Sequence, residues 1–162
     1  KLSEPTTAIT DYILSIELIL LGCVLLWKDH GQISRILWGT SFFAMAAGAI
    51  AGGTFHAGRF TFPSSLLQTL WKITGIGIGA SFGLMLAAGA MTATGMIRLI
   101  LLAAAVVAIG MIARGFQSSD SGDEWKRTIR ITGMVFLVLA VLLFYQLMKN
   151  GSSAGLWILA GS

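Results

Sequence analysis

The sequence predicts an all-α fold, a polytopic transmembrane helical bundle with five spans and a short apolar C-terminal segment. Hydrophobic residues make up 56% of the 162 residues and charged residues only 11%, against roughly 25% charged in a typical soluble domain. Apolar runs near the 20 residues that a helix needs to cross hydrocarbon recur along the chain. These runs do not alternate apolar and polar residues, as strands of outer-membrane barrels do. We therefore expect one transmembrane domain over residues 1–162.

The predicted spans follow one another with short connections. They cover residues 12–27, 36–55, 73–93, 96–113 and 131–148. Gly95 marks a tight turn between the third and fourth spans. Apolar residues resume at 154–160, a segment too short to cross a bilayer. We expect this segment to lie at the interface or to begin a sixth span of a longer chain.

Basic residues predict the orientation and exclude one class of partner. Seven Lys and Arg residues fall on the N-terminal side of the five predicted spans and four on the opposite side, which predicts a cytoplasmic N-terminus. The net charge is +4, but the basic residues flank apolar runs, so their expected partner is the lipid bilayer and not nucleic acid. A single cysteine excludes a disulfide scaffold.

Small residues recur at every fourth position in two consecutive spans. The third span carries Gly75, Gly79 and Gly83, and the second carries Ala44, Gly48 and Gly52, with His56 next in the series. Residues four apart share a helix face, and small side chains let two helices approach closely in lipid. We expect these faces to pack, within one chain or between the copies of a homo-oligomer. The alternative is that membrane helices simply tolerate glycine.

Polar side chains gather at one end of the predicted bundle, because consecutive spans run antiparallel. This end holds Glu4, Asp11, Glu17, His56, Arg59, Lys72, Arg114, Arg127 and Arg130. Glu17 lies inside the first span, where a carboxylate costs several kcal/mol unless it is paired, wetted or protonated. Two interpretations of Glu17 have about equal weight: a functional group, or a structural group that forms a hydrogen bond between helices. Asp11 is expected to cap the first helix together with Thr10.

His56 and Lys72 complete the candidate site. His56 ends the small-residue series of the second span, so its ring is directed toward a helix interface. Glu17 or Asp11 could orient this imidazole or exchange a proton with it, as a relay or a general base requires. The alternative is an ordinary interfacial histidine. Lys72 is expected to extend its ammonium group to the head groups. No metal site and no cofactor are predicted from the residues.

Two short motifs resemble a known superfamily. The residues TDY at 10–12 and GGTFHAG at 52–58 are similar to uncharacterised bacterial membrane proteins allied to the alkaline ceramidase and adiponectin-receptor-like superfamily. The resemblance implies a bacterial inner (plasma) membrane location. It also implies a membrane-embedded, zinc-dependent hydrolase in which His56 corresponds to a zinc ligand late in span two.

The chain departs from that superfamily at its other characteristic positions. Gly52 stands where a serine is expected, the third span has no aspartate, and the last two spans with their histidine pair are absent. Three functions are therefore carried forward. The first is permeation of an ion, a proton or a small solute through a polar pocket at one leaflet. The others are a metal-dependent hydrolase that is incomplete in this chain, and a non-catalytic membrane assembly subunit.

Overall fold

The fold is known here from a computed structural model that describes residues 4–27, 31–93 and 95–117, together with Gly133, Leu137 and Val141. These residues form four helices and no strand. The helices are α1 (Pro5–Trp27), α2 (Ile33–Gly58), α3 (Ser64–Thr92) and α4 (Gly95–Gln117). The predicted all-α helical bundle is confirmed.

The four helices pack in chain order. In the part of the chain that the structure describes, α1 contacts α2, α2 contacts α3 and α3 contacts α4, and no other pair of these helices is in contact. The α3–α4 interface is apolar and contains Leu86, Ala90 and Leu101. Because α2 lies between α1 and α3, a small residue on α2 can bring side chains from both neighbours together.

Three of these helices are long and apolar enough to cross a membrane: α1, α2 and the α3 segment Ser64–Met91. This agrees with a membrane protein. The apolar part of α4, Gly95–Val107, is shorter. The predicted count of five spans is therefore not supported by the described helices. The predicted fifth span at 131–148, apart from Gly133, Leu137 and Val141, and the segment at 154–160 lie outside the described residues.

Helices α1 and α3 begin at least seven residues earlier than the apolar runs predict. Helix α1 starts at Pro5 and not at residue 12, and proline is favoured at a first helical position because its missing N–H would have no partner there. Helix α3 starts at Ser64 and not at residue 73, directly after the extended residue Pro63. Apolar runs mark only the part of a helix that contacts hydrocarbon, while its hydrogen bonds continue into the polar layer. Gly95, where the turn was predicted, has a positive φ of 59°.

Glycines set the closest approach between α2 and α3. A Cβ atom on Gly77 would lie 2.7 Å from the Ala44 carbonyl oxygen and from the backbone N and Cα of Gly48. Gly77 is two residues from Gly75 and Gly79, which places it about 200° away around the helix. Contact with α2 therefore involves a face of α3 that the i+4 series does not include. The series members Gly75, Gly79 and Gly83 are also buried, and their packing role stays a prediction.

Candidate functional site

Three side chains meet where α1 begins and α2 ends, and we call them the Glu4 cluster: Glu4, His56 and Arg59. Glu4 Oε2 lies 2.5 Å from His56 Nδ1, and Arg59 donates a hydrogen bond to Glu4 Oε1. The Glu4 backbone N–H also donates to the His56 carbonyl oxygen, at 3.2 Å. The antiparallel packing of α1 and α2 brings these residues together from 52 and 55 positions apart. The cluster fastens the start of α1 to the end of α2.

The charges of the Glu4 cluster are partly open to solvent. The side chains of His56 and Glu4 are 23% and 30% exposed, and that of Arg59 is 51% exposed. Hydrogen bonds from His56 first, and then from Arg59, hold the pKa of Glu4 below its ordinary value of 4.5. Glu4 is therefore a carboxylate at neutral pH, hydrogen-bonded to both His56 and Arg59.

Aromatic rings connect His56 to α3. The rings of Phe55 and His56 meet edge to face with centroids 5.4 Å apart, and the Phe55 and Trp71 centroids are 5.3 Å apart. The prediction that Glu17 or Asp11 orients His56 is wrong, because Glu4 occupies Nδ1. The sequence did place Glu4 at this end of the bundle. The pairing was missed because the first helix was predicted to begin only at residue 12, eight residues after Glu4.

Asp11 lies deeper in the bundle and faces α2. Its prediction as a helix cap is wrong, since α1 begins six residues earlier and the Thr10 hydroxyl donates to the Thr6 and Thr7 carbonyls of the same helix. Asp11 is half-buried. A Cβ on Gly52 would lie 3.3 Å from its Oδ2, and one on Gly53 would lie 3.2 Å from its Cβ. The Asp11 side chain can therefore pack against α2 because Gly52 and Gly53 have no side chains there.

Neighbouring hydroxyl groups make this region polar, but their hydrogen bonds go to partners other than Asp11. The Tyr12 hydroxyl and Thr54 Oγ1 are 3.1 Å apart and form a hydrogen bond between α1 and α2. Thr54 also donates to the Ile50 carbonyl, at 2.7 Å. Among the described residues, none donates a hydrogen bond to the Asp11 carboxylate. A half-buried acceptor without a described donor is open to a cation, a proton or water.

Glu17 lies near the middle of α1 on its exposed side. The buried side of α1 consists of Ala8, Ser15, Leu18 and Gly22. Within residues 4–27, 31–93 and 95–117, no side chain pairs with Glu17. The structure therefore separates Glu17 from Asp11 and His56, and its functional role stays a prediction. Lys72 is exposed on the third turn of α3, where extension to head groups also stays a prediction.

Two separate groups of ionisable side chains lie at this end of the described helices. In the described part of the chain, no group of three His, Cys, Asp or Glu side chains is placed to hold a metal ion. The other predicted members of this end, Arg127 and Arg130, lie outside the described residues, and so does the side chain of Arg114. What remains is a histidine–carboxylate pair near the surface and a second carboxylate further in.

Comparison with known proteins gives a family but no activity. The model of a family of unknown function, DUF6962, matches residues 6–162. No curated protein and no solved structure matches the chain significantly.

Proposed function

The chain belongs to the DUF6962 family, a family of unknown function, and we propose from the site geometry that it carries protons or small ions across the membrane. The observation that carries this proposal is Asp11, a half-buried carboxylate inside an apolar helix with no described hydrogen-bond donor. Ionisable groups at such positions are costly, and they mark ion pathways and proton relays more often than structural contacts.

The Glu4 cluster supplies an entrance to this carboxylate. Seven residues separate Glu4 from Asp11, a rise of about 10 Å along α1. His56 stands one turn from Gly52, the glycine against which Asp11 lies. A proton or cation that passes the Glu4 cluster therefore meets a second carboxylate further into the bundle.

Replacing Asp11 with asparagine is expected to abolish permeation while preserving the fold. Asparagine keeps the shape of the side chain but cannot hold a proton or balance a cation. The measurement is proton and sodium flux into sealed liposomes containing the purified protein, read with an internal pH dye and a sodium-sensitive dye. We expect at least a tenfold fall in flux and a melting temperature close to that of the wild type.

Glu17→Gln is the matched control, because it neutralises the other carboxylate of α1 on the exposed side. Wild-type flux in Glu17→Gln supports Asp11 as the ion-binding group. Loss of flux in Glu17→Gln with full flux in Asp11→Asn would overturn the assignment and favour the predicted role of Glu17. The absence of flux in the wild type, as monomer or oligomer, would overturn the permeation proposal and leave the hydrolase and the assembly subunit.

The topology proposed with this function has a cytoplasmic N-terminus and five spans. In a Cys23→Ser background, a cysteine at Thr61 between α2 and α3 and one at Gln32 before α2 are expected to label from opposite sides of sealed vesicles. Both positions are exposed, and α2 lies between them. An impermeant thiol reagent should reach Thr61→Cys from the cytoplasmic side. Labelling of both cysteines from one side would exclude α2 as a span.

A permeation pathway needs helices on all sides, and oligomerisation would supply helices that one chain does not place around Asp11. The helices α1 to α4 pack in series, so that α1 and α4 do not meet. A homo-oligomer in which copies enclose the Asp11 side of the bundle is therefore part of the proposal. Crosslinking in native membranes, followed by sizing in mild detergent, tests it.

A metal-dependent hydrolase is the second candidate, and one contact favours it. A carboxylate on Nδ1 of His56 leaves Nε2 for a metal, the arrangement in which metal-binding histidines are commonly held. A catalytic zinc usually takes three protein ligands, and the described residues supply no such group. Zinc that copurifies with the wild type and not with His56→Ala would favour this candidate over permeation.

A further inference from the structure

Gly52 is a point on α2 that side chains from two other helices both approach. A Cβ on Gly52 would lie 3.3 Å from Asp11 Oδ2 of α1, and 3.5 Å and 3.6 Å from Thr74 Cγ2 and Oγ1 of α3. Helices α1 and α3 are not otherwise in contact. We call this place, formed by Asp11, Gly52 and Thr74, the Gly52 junction. The missing side chain of Gly52 is what allows the two oxygen atoms to approach the same point.

The oxygen atoms of the junction are acceptors. The Thr74 hydroxyl donates to the Leu70 carbonyl at 3.0 Å, so its lone pairs remain to receive a hydrogen bond or a cation. Asp11 contributes a carboxylate without a described donor. Both acceptors lie beside Gly52 and one of them is charged, so a positive ligand or a hydrogen-bond donor would complete the site.

We propose that the Gly52 junction binds a small monovalent cation, sodium or hydronium, between Asp11 and Thr74. The inference rests on the proposed permeation function and names the ion class and the residues that select it. Oxygen ligands of this type suit hard cations. The glycine fixes the space, since a methyl group there would stand 3.3 Å from the carboxylate oxygen. Larger ions such as potassium are expected to bind less well.

Other ionisable groups on the three helices bear on the binding of hydronium. Tyr12 follows Asp11 on α1 and its ring edge would lie 3.2 Å from a Cβ on Gly53. His56 stands one turn beyond Gly52 on α2, paired with Glu4 and near Arg59. Lys72 is two residues before Thr74 on α3. A pH response of the junction must therefore be assigned with variants of Asp11 and not from the wild type alone.

The first arm of the test measures sodium binding without transport. The full chain in detergent is melted in sodium chloride, in potassium chloride and in choline chloride at equal ionic strength and fixed pH. Saturating sodium is expected to raise the melting temperature by roughly 3–8 °C over choline, as ligand binding to the folded state does. Asp11→Asn and Thr74→Val should each lose most of this shift. Thr69→Val, which removes an exposed hydroxyl of the same helix, should retain it.

Two glycine variants separate binding from packing. Gly52→Ala contacts only side-chain atoms of Asp11 and Thr74, so it should keep the melting temperature in choline and weaken sodium binding about tenfold. Gly48→Ala would place a Cβ 3.1 Å from the Thr74 carbonyl oxygen and 3.3 Å from the Ile78 nitrogen. It should lower the melting temperature and keep the sodium shift. The opposite pattern would overturn the assignment of the junction.

The second arm distinguishes hydronium from sodium. In sodium-free buffer, the infrared carboxyl band assigned by Asp11→Asn is followed against pH, with and without added sodium. A pH midpoint that Gly52→Ala and Thr74→Val displace, with no sodium shift in either arm, identifies a proton on Asp11, and not sodium, as the ligand. If sodium does not raise the melting temperature and these variants do not displace the midpoint, the proposal is wrong. Binding without flux would instead refute permeation and leave the junction standing.

Discussion

Gly77→Ala should lower the melting temperature of the detergent-solubilised protein sharply, because its new Cβ would stand 2.7 Å from three backbone atoms of α2. Backbone atoms cannot move aside as the end of a flexible side chain can, so α2 and α3 must separate. Overpacking of this type costs about 1–3 kcal/mol in protein cores. Leucine at the same position should prevent the two helices from packing at all.

Gly110→Ala is the control for this prediction. Gly110 lies in α4, and a Cβ there would meet no atom within 4 Å. Alanine is better than glycine in a helix by up to about 1 kcal/mol, so this variant should melt at or above the wild-type temperature. Equal melting temperatures for Gly77→Ala and Gly110→Ala would show that α2 and α3 are not in close contact.

The sequence predicts that α3 has a small-residue face but does not show which neighbour meets it. Gly75, Gly79 and Gly83 form the regular series, while the close contact with α2 is at Gly77 on a different face. Helices in lipid are not driven together by hydrophobic burial, so periodicity alone does not rank the two faces. On α2 the regular series was more informative, since Gly48 contacts α3 and Gly52 lies between Asp11 and Thr74.

Helix ends explain why the site was predicted only in part. Antiparallel order correctly placed Glu4, His56 and Arg59 at one end of the bundle. The apolar runs, however, placed the start of α1 seven residues too late. This error made Asp11 a predicted cap and separated Glu4 from the predicted helix start. Glu4 is instead the residue before Pro5, and its carbonyl accepts the Ala8 N–H at 3.1 Å. Hydropathy detects hydrocarbon, while helix starts depend on proline and on backbone hydrogen bonds.

The choice between the two carboxylates of α1 also needed the packing. Six residues separate Asp11 and Glu17, so periodicity places them on different faces. The buried face of α1 carries Ala8, Ser15 and Gly22 beside one leucine, while isoleucine and leucine cover the exposed side. In lipid the small residues mark the helix contact and the large apolar residues face outward. The rule that large apolar residues are buried, which holds for soluble proteins, therefore predicts the wrong face of α1 as the buried one. Asp11 is the carboxylate that contacts α2.

Reversing the charge of Glu4 is expected to detach the start of α1 from α2. In Glu4→Lys an ammonium group would face His56 and Arg59. The ion pair with Arg59 would become a repulsion between two positive charges, and the hydrogen bond with His56 Nδ1 would be lost. The measurement is reactivity of a cysteine at Ala8, which is fully buried against α2, in a Cys23→Ser background. We expect labelling at least tenfold faster in Glu4→Lys, with an intermediate rate in Glu4→Gln.

The contact between Glu4 and the end of α2 is expected to weaken at acid pH, and the same labelling assay can measure this. Because the folded protein holds the pKa of Glu4 below its ordinary value of 4.5, the contribution of the carboxylate is fully present above pH 4.5. It is lost as the pH falls through the lowered pKa. The labelling rate of the buried cysteine at position 8 is divided by that of an exposed cysteine at position 32, which corrects for the pH dependence of the reagent. This ratio should therefore rise below pH 4.5. Glu4→Gln should show no such acceleration, because glutamine does not titrate. An identical acid response in Glu4→Gln and the wild type would mean that other carboxylates control the docking of α1.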